Sequence, residues 1–475
     1  MQTTAVLVSW KTRGVRHLLL AALLMMGPVP GSWGFGIQSG GQSSIDRADQ
    51  NAFSLASPAL SLQQRHDFYS GSDLFRSPWV IAPASNRSRD GLGPLSNANG
   101  CRDCHTLDGR GHLPTHPDDN NVSLLLRVSL RPETDVQWQQ VREQGVIPHP
   151  QYGAQIQDFA NPGLVPEAHY RLRYETTHVT LADGEVVTLS RPLPEWVETA
   201  YGEPAANVNW SLRLAPAIVG LGLLDILDDE QIAAFADPDD RDGDGISGRP
   251  NRVRQAGSDG LVNGRYGWKA EQPSLRQQNA AAFLGDLGIT SPLFPEENCT
   301  PAATQCRQAP TGGSPELSDT QLNQITFYTA NLAVPQRRNV RDPQVKQGEA
   351  LFTEAGCAGC HRVAFVTPKV VRQPQLSGQT IHPYTDLLLH DMGEGLADHR
   401  PVFSASGSEW RTPPLWGIGL TATVTGQEHY LHDGRARNLL EAILWHDGEA
   451  RASKAFVVSA SREQRAALVA FLQSL

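Results

Sequence analysis

No stretch of this chain approaches the roughly 20 consecutive apolar residues that a membrane-spanning helix needs. The best candidate is the short run from Leu18 to Met26, so no membrane span is expected in the mature chain. Basic residues are not in excess either. Against 50 Asp and Glu stand 40 Lys and Arg, a net charge of -10, which argues against a nucleic-acid partner. Solenoid-type repeats are missing. Cysteine is scarce, six residues in 475, and nothing around them resembles a reactive exposed thiol, so thiol oxidation is a poor description of the chemistry.

Four of those cysteines fall into one pattern written twice, "CRDCH" at 101–105 and "CAGCH" at 357–361. Scattered at random, this composition would give about 0.002 copies of Cys-x-x-Cys-His. The pattern is that of c-type haem attachment: two thiols one helical turn apart add to the haem vinyl groups, and the adjacent imidazole becomes the proximal iron ligand. Structural zinc is the competing use of Cys-x-x-Cys. It pairs such motifs within about 15–20 residues of each other and asks for no histidine after the second thiol. A thioredoxin-like site needs only one copy. Two covalent haems are therefore expected, on Cys101, Cys104 and His105 and on Cys357, Cys360 and His361.

Lys11, Arg13 and Arg16 precede the Leu18–Met26 run, and "GPVPGSWGFG" then supplies breakers and small residues for cleavage near Gly34 or Gly36. Residues 1–34 read as a secretory signal, an uncleaved anchor being the alternative. Export together with covalent haem points to a bacterial periplasm. Cys299 and Cys306 are left over and are expected to pair there, closing a short loop worth roughly 2–3 kcal/mol.

The organisation repeats around the haem motifs. Residues 35–334 are expected to form an N-terminal haem domain and residues 335–475 a C-terminal one, with Pro335 closing a capped helix at the boundary. "HYRLRYETTHVTLADGEVVTLS" contains alternating strands around the turn pair Asp183-Gly184. Residues 131–200 thus read as a partly β insertion in the N-terminal half of an otherwise mainly α chain. In "ARNLLEAILWHDG", Leu439, Ile443 and His446 fall on one helical face. A histidine so placed serves either as a core residue with a satisfied nitrogen or as an axial ligand.

The segments "DGLGP", "SLLLRVSL", "DGDGISGRPN", "YGWKAEQPSLRQQNAAAF", "LLLHDMGEGLADH", "RTPPLWGIG" and "HDGRA" resemble the bacterial di-haem oxidoreductases once labelled thiol oxidoreductases. That family is related to di-haem cytochrome c peroxidases, and the resemblance covers nearly all of the mature chain. It implies that His446 is the sixth ligand of the C-terminal haem, with Met392 as the rival. Trp268 in "YGWKA" is similar to the tryptophan that relays electrons between the haems of the peroxidases. Their distal acid-base glutamate has no counterpart at the matching distance here, and Asp286 is the nearest carboxylate. His112 and His116 follow the first motif in a loop, where they are either solvated or able to reach over the iron. The peroxidases also hold an ion between their haems, which implies a calcium on the Asn251 side chain and the carbonyls of Thr412 and Pro414. Separately, Asp240, Asp242 and Asp244 before Gly245 resemble the start of a calcium loop that lacks its closing glutamate, the alternative being a solvated acidic turn.

Two functions are in contention. One is a peroxidase-like enzyme whose C-terminal haem exchanges electrons with a periplasmic donor or acceptor such as a small cytochrome, while its N-terminal haem meets peroxide, oxygen or an unidentified substrate. The other is a non-catalytic di-haem electron carrier. Two differently built haem surroundings, a relay tryptophan and a large insertion favour the enzyme.

Overall fold

Four helices begin on a reciprocal cap that the sequence spells out, a Ser or Thr followed three residues later by Gln. They are Leu62–Arg76 on Ser61, Asp135–Gln144 on Thr134, Asp319–Ala330 on Ser318 and Arg462–Ser474 on Ser461. Leu275–Leu287 starts at Ser274 and stops where Gly288 turns left-handed, at φ 64°. The computed structural model describes residues 36–116, 119, 122–204 and 206–475. The expected signal, residues 1–34, lies outside the described residues.

Helix pairs carry each half. In the N-terminal half, Leu62–Arg76 buries Phe68, Leu74 and Phe75 beside Asp319–Ala330, which buries Leu322, Ile325 and Tyr328. Gly71 lets the two backbones meet, since a Cβ there would collide with the carbonyl of Gln324. In the C-terminal half, Pro343–Glu354 crosses Arg462–Ser474 at Gly348, where a Cβ would collide with the carbonyl of Ala467. Side chains such as Leu351, Phe352, Leu468 and Phe471, all buried here, contribute about 1.5–3 kcal/mol each relative to exposure.

The expectation of a mainly α chain is corrected. The structure is 30% helical and 18% strand, a mixed α/β fold with many small sheets. Leu124–Leu130 pairs antiparallel with Val208–Leu214, in register from Leu124↔Leu214 to Leu130↔Val208. This pair brackets the irregular excursion between its two strands. Within it, Ala168–Thr180 and Val186–Thr199 form a long antiparallel hairpin. Helix reading failed for a physical reason: most strands are two or three residues long, pinning loops to one another, and runs that short carry no period.

The hairpin tip reaches into the C-terminal half. Leu181 and Leu189 are buried in one cluster with Leu439, Leu444, Leu468 and Phe471, and Trp268 belongs to that cluster too. Arg465 donates to Asp183 at 2.7 Å, and the backbone N–H of Ala182 donates to Val458 O at 2.9 Å. Ser44–Ile45 pairs in parallel with Val334–Pro335, tying the start of the described chain to the segment between the halves. Residues 36–475 form one compact unit. Among the described residues no helix is long and apolar enough to cross a membrane.

Candidate functional site

The disulfide expected between Cys299 and Cys306 is present, with a Cα–Cα distance of 5.8 Å. The other four cysteines are unpaired, and all four line a single internal cavity of about 440 Å³. Cys101–Cys104 forms a single helical turn, and Cys357–Gly359 a tighter one. Both turns bring their cysteines to the same wall as the following histidine. Burial pushes the thiols of Cys101 and Cys357 up to about 12 and that of Cys104 upward as well. Neutral thiols of this kind are not redox nucleophiles.

The two motif histidines are held alike. Nδ1 of His105 lies 2.8 Å from Pro216 O, and Nδ1 of His361 lies 2.9 Å from Tyr384 O. A carbonyl only accepts, so Nδ1 carries the proton and Nε2 keeps its lone pair. Both rings line the cavity. Burial lowers the pKa of His105, and it lowers that of His361 to about 4 against the carbonyl bond, with His446 adding to the fall. Neutral imidazoles pinned through Nδ1 are what a metal held at Nε2 requires.

His446 shares this arrangement, with Nδ1 2.7 Å from Ala442 O and its ring on the cavity. The expected helical face stops one residue short. Leu439–Trp445 is the helix, and His446 is its extended cap at ψ 137°. Met392, the rival ligand, lines the same cavity. His112 and His116 are not on the cavity wall.

Trp268 lines the cavity that both motifs share. Its Nε1–H donates to Leu214 O at 2.8 Å, and the Arg110 guanidinium lies over its ring at 5.1 Å. Asp286 lines the cavity with His105 and Arg127. Gln155 Nε2 donates to its side chain at 3.0 Å. Burial raises the Asp286 pKa, and Arg127, the bond from Gln155 and His105 oppose the rise.

Residues that sequence reasoning missed complete the wall. Trp410 is stacked on His432 at 3.7 Å, with Arg213 over its ring at 4.5 Å and Lys269 at 4.3 Å. Arg213 pairs with buried Asp398 at 2.9 Å. His390 is clamped between Asp386 at 2.8 Å and Glu449 at 2.7 Å. "HDGRA" and "LLLHDMGEG" contain two of these residues, but only long-range packing shows what they face.

The three residues expected to hold calcium sit in different surroundings. Asn251 is fully buried. Its Nδ2 donates to Lys269 O at 2.7 Å and Val402 O at 3.1 Å, while its Oδ1 accepts from Ser404 N at 3.0 Å and Ser404 Oγ at 2.8 Å. Thr412 O accepts from Thr385 at 2.6 Å. Thr412 and Pro414 line the cavity and Asn251 does not. Asp240, Asp242 and Asp244 do place one carboxylate oxygen each within 4.8 Å of one another, at the surface.

The residues around the cavity fit haem on independent grounds. Three histidines offer Nε2 to it, four unpaired thiols line it, and buried guanidinium N–H groups at Arg110 Nε and Arg213 Nη1 have no protein partner, as carboxylate-bearing porphyrins would require. The model of a family described as "Di-haem oxidoreductase, putative peroxidase" matches residues 36–475. No curated protein matches. Among solved structures, a hydrazine synthase from Kuenenia stuttgartiensis is similar at 16% identity over 56% of this chain and 73% of that chain. The TM-score is 0.29.

Proposed function

The chain belongs to the di-haem oxidoreductase family, and from that premise we propose that it is an exported, peroxidase-like enzyme whose two covalently attached haems do different work. The observation that carries this reading is the asymmetry of one shared cavity. The charged and titratable neighbours of His361 include two imidazoles, His446 and His390, beside the Asp386 carboxylate, whereas those of His105 are the carboxylates Asp286 and Asp108 alone.

When bound, the haems supply electron transfer and, at an iron with an open axial position, cleavage of the peroxide O–O bond. The chain's residues set who does which. Cys101 and Cys104, like Cys357 and Cys360, would hold a porphyrin as thioethers, and His105 and His361 would ligate through the nitrogen that the backbone carbonyl leaves free. His446 would be a second protein ligand at the C-terminal site and would reserve that haem for electron exchange with a small periplasmic donor. Arg110 and Arg213 present their unmatched N–H groups to porphyrin carboxylates. At the first site Asp286 takes a proton from one peroxide oxygen and returns it to the other. Burial moves its pKa toward the range where both steps are accessible, and Arg127 keeps part of its anionic character. Trp268, on the wall of the shared cavity, is the route for electrons.

The formed Cys299–Cys306 bond supports an oxidising compartment such as the periplasm. A calcium, if the chain takes one, fits the Asp240, Asp242 and Asp244 turn better than Asn251, whose amide is already satisfied. The electron-carrier reading differs in one measurable respect. The electron paramagnetic resonance spectrum of the ferric protein should contain one high-spin and one low-spin signal. Two low-spin signals, with no change on adding peroxide, would instead support the carrier.

A further inference from the structure

A row of aromatic rings runs outward from the first motif, starting at Phe75 on the cavity wall. From the His105 imidazole the centroid spacings are 6.2 Å to Phe75, 5.2 Å on to Tyr328, 4.8 Å to Phe68 and 5.5 Å to Tyr69. The close crossing of Leu62–Arg76 on Asp319–Ala330 at Gly71 brings these rings together. Tyr328 is fully buried, while Tyr69 at the far end is 62% exposed.

Packing alone would be served by phenylalanine at 328, yet the phenol is given a proton acceptor. Its Oη donates to Asp108 Oδ1 at 2.5 Å. The other oxygen of Asp108 accepts from Ser54 Oγ at 2.6 Å and Arg76 Nη2 at 3.1 Å. Burial, with Asp108 beside it, keeps the Tyr328 phenol protonated at rest. Beyond the last ring, Tyr69 borders an open surface recess with polar walls that include His66, Asn86, Arg89 and Gln321.

We propose that these rings carry oxidising equivalents from the first haem to Tyr69, where a small phenolic donor seated in the recess is oxidised. This rests on the peroxidase-like reading, with hydrogen peroxide as the oxidant. Tyr328 gives one electron to the oxidised haem while its phenolic proton passes to Asp108 Oδ1, leaving a phenoxyl radical. Tyr69 then gives one electron to Tyr328, Asp108 returns the proton, and the Tyr69 proton is lost to water. A donor phenol finally transfers a hydrogen atom to Tyr69. Per turn, one electron reaches the haem, one proton reaches water and one donor phenoxyl is released. The polar recess suits a hydroxyl-bearing ring, and the phenol O–H matches the Tyr69 O–H closely in strength, so the last transfer is near thermoneutral.

The test combines freeze-quench electron paramagnetic resonance with guaiacol as the phenolic probe. The haem-loaded protein mixed with peroxide should give a tyrosyl signal that narrows when ring-deuterated tyrosine is incorporated. Tyr328→Phe, which keeps the ring packing, should remove the signal and slow guaiacol oxidation by about tenfold or more, with the rate at which peroxide alters the haem absorption unchanged. Tyr69→Phe should keep a tyrosyl signal, now at Tyr328, and slow guaiacol equally. Asp108→Asn should delay radical formation. If the haems react with peroxide and no tyrosyl radical forms, or Tyr328→Phe oxidises guaiacol at the wild-type rate, the relay is wrong while the enzyme reading stands. If the haems ignore peroxide, that reading fails. Flash oxidation with a photo-excited ruthenium complex then still decides the relay, by whether the same tyrosyl signal forms in the wild type and is lost in Tyr328→Phe.

Discussion

At His446 a backbone carbonyl decides which ring nitrogen a metal can reach, and the same device recurs at His105 and His361. Removing the ring should therefore act on one iron alone. His446→Ala is expected to convert the second haem from low-spin to high-spin while the first keeps its spectrum, and Met392→Ala should leave both unchanged. The reverse pattern, read by absorption and electron paramagnetic resonance, would make Met392 the ligand. At this scale the sequence was most informative where chemistry is local. Cys-x-x-Cys-His puts thiols and imidazole within five residues, so both motifs were legible outright. Asp286 was reached only through a family resemblance, and its partner Arg127 not at all, because the two meet across more than 150 positions of chain.

Among the elements, the hairpin Ala168–Thr180 and Val186–Thr199 shows how a segment that looks like an excursion serves the site. Its strands were legible from alternation and from the Asp183-Gly184 turn, and the turn is held as drawn, Gly184 at φ 84°. Its destination was not legible, since alternation gives a face but no partner. The tip packs Leu181 and Leu189 against the helix that ends in His446 and against Arg462–Ser474. Leu181→Ala should cost about 2–4 kcal/mol, as other buried leucine truncations do, and should broaden the signal of the second haem. Thr176→Ala, on the exposed middle of the same strand, should stay within about 0.5 kcal/mol. Equal denaturant midpoints for the two variants would show that the tip is not docked. The mainly α expectation failed at this scale too, because many short strands clamp one segment to another.

For the whole molecule, the informative fact is that both attachment motifs open on one cavity rather than two. Trp268 comes from the N-terminal half and is buried in the cluster built by the C-terminal helices, and it lines the cavity that both motifs share. No reading of either motif alone discloses this, because motif spacing along the chain says nothing about separation in space. The account stands or falls on division of labour across that cavity. The most direct measurement is rapid mixing of the reduced protein with hydrogen peroxide, following the absorption of both haems, in the wild type and in Trp268→Phe. Loss of the bond to Leu214 O should cost about 1 kcal/mol of stability, leaving the fold intact. The account predicts that the first haem responds before the second, and that Trp268→Phe slows only the second phase, by about tenfold. Failure of either haem to respond to peroxide, or a second phase at the wild-type rate in Trp268→Phe, would contradict it.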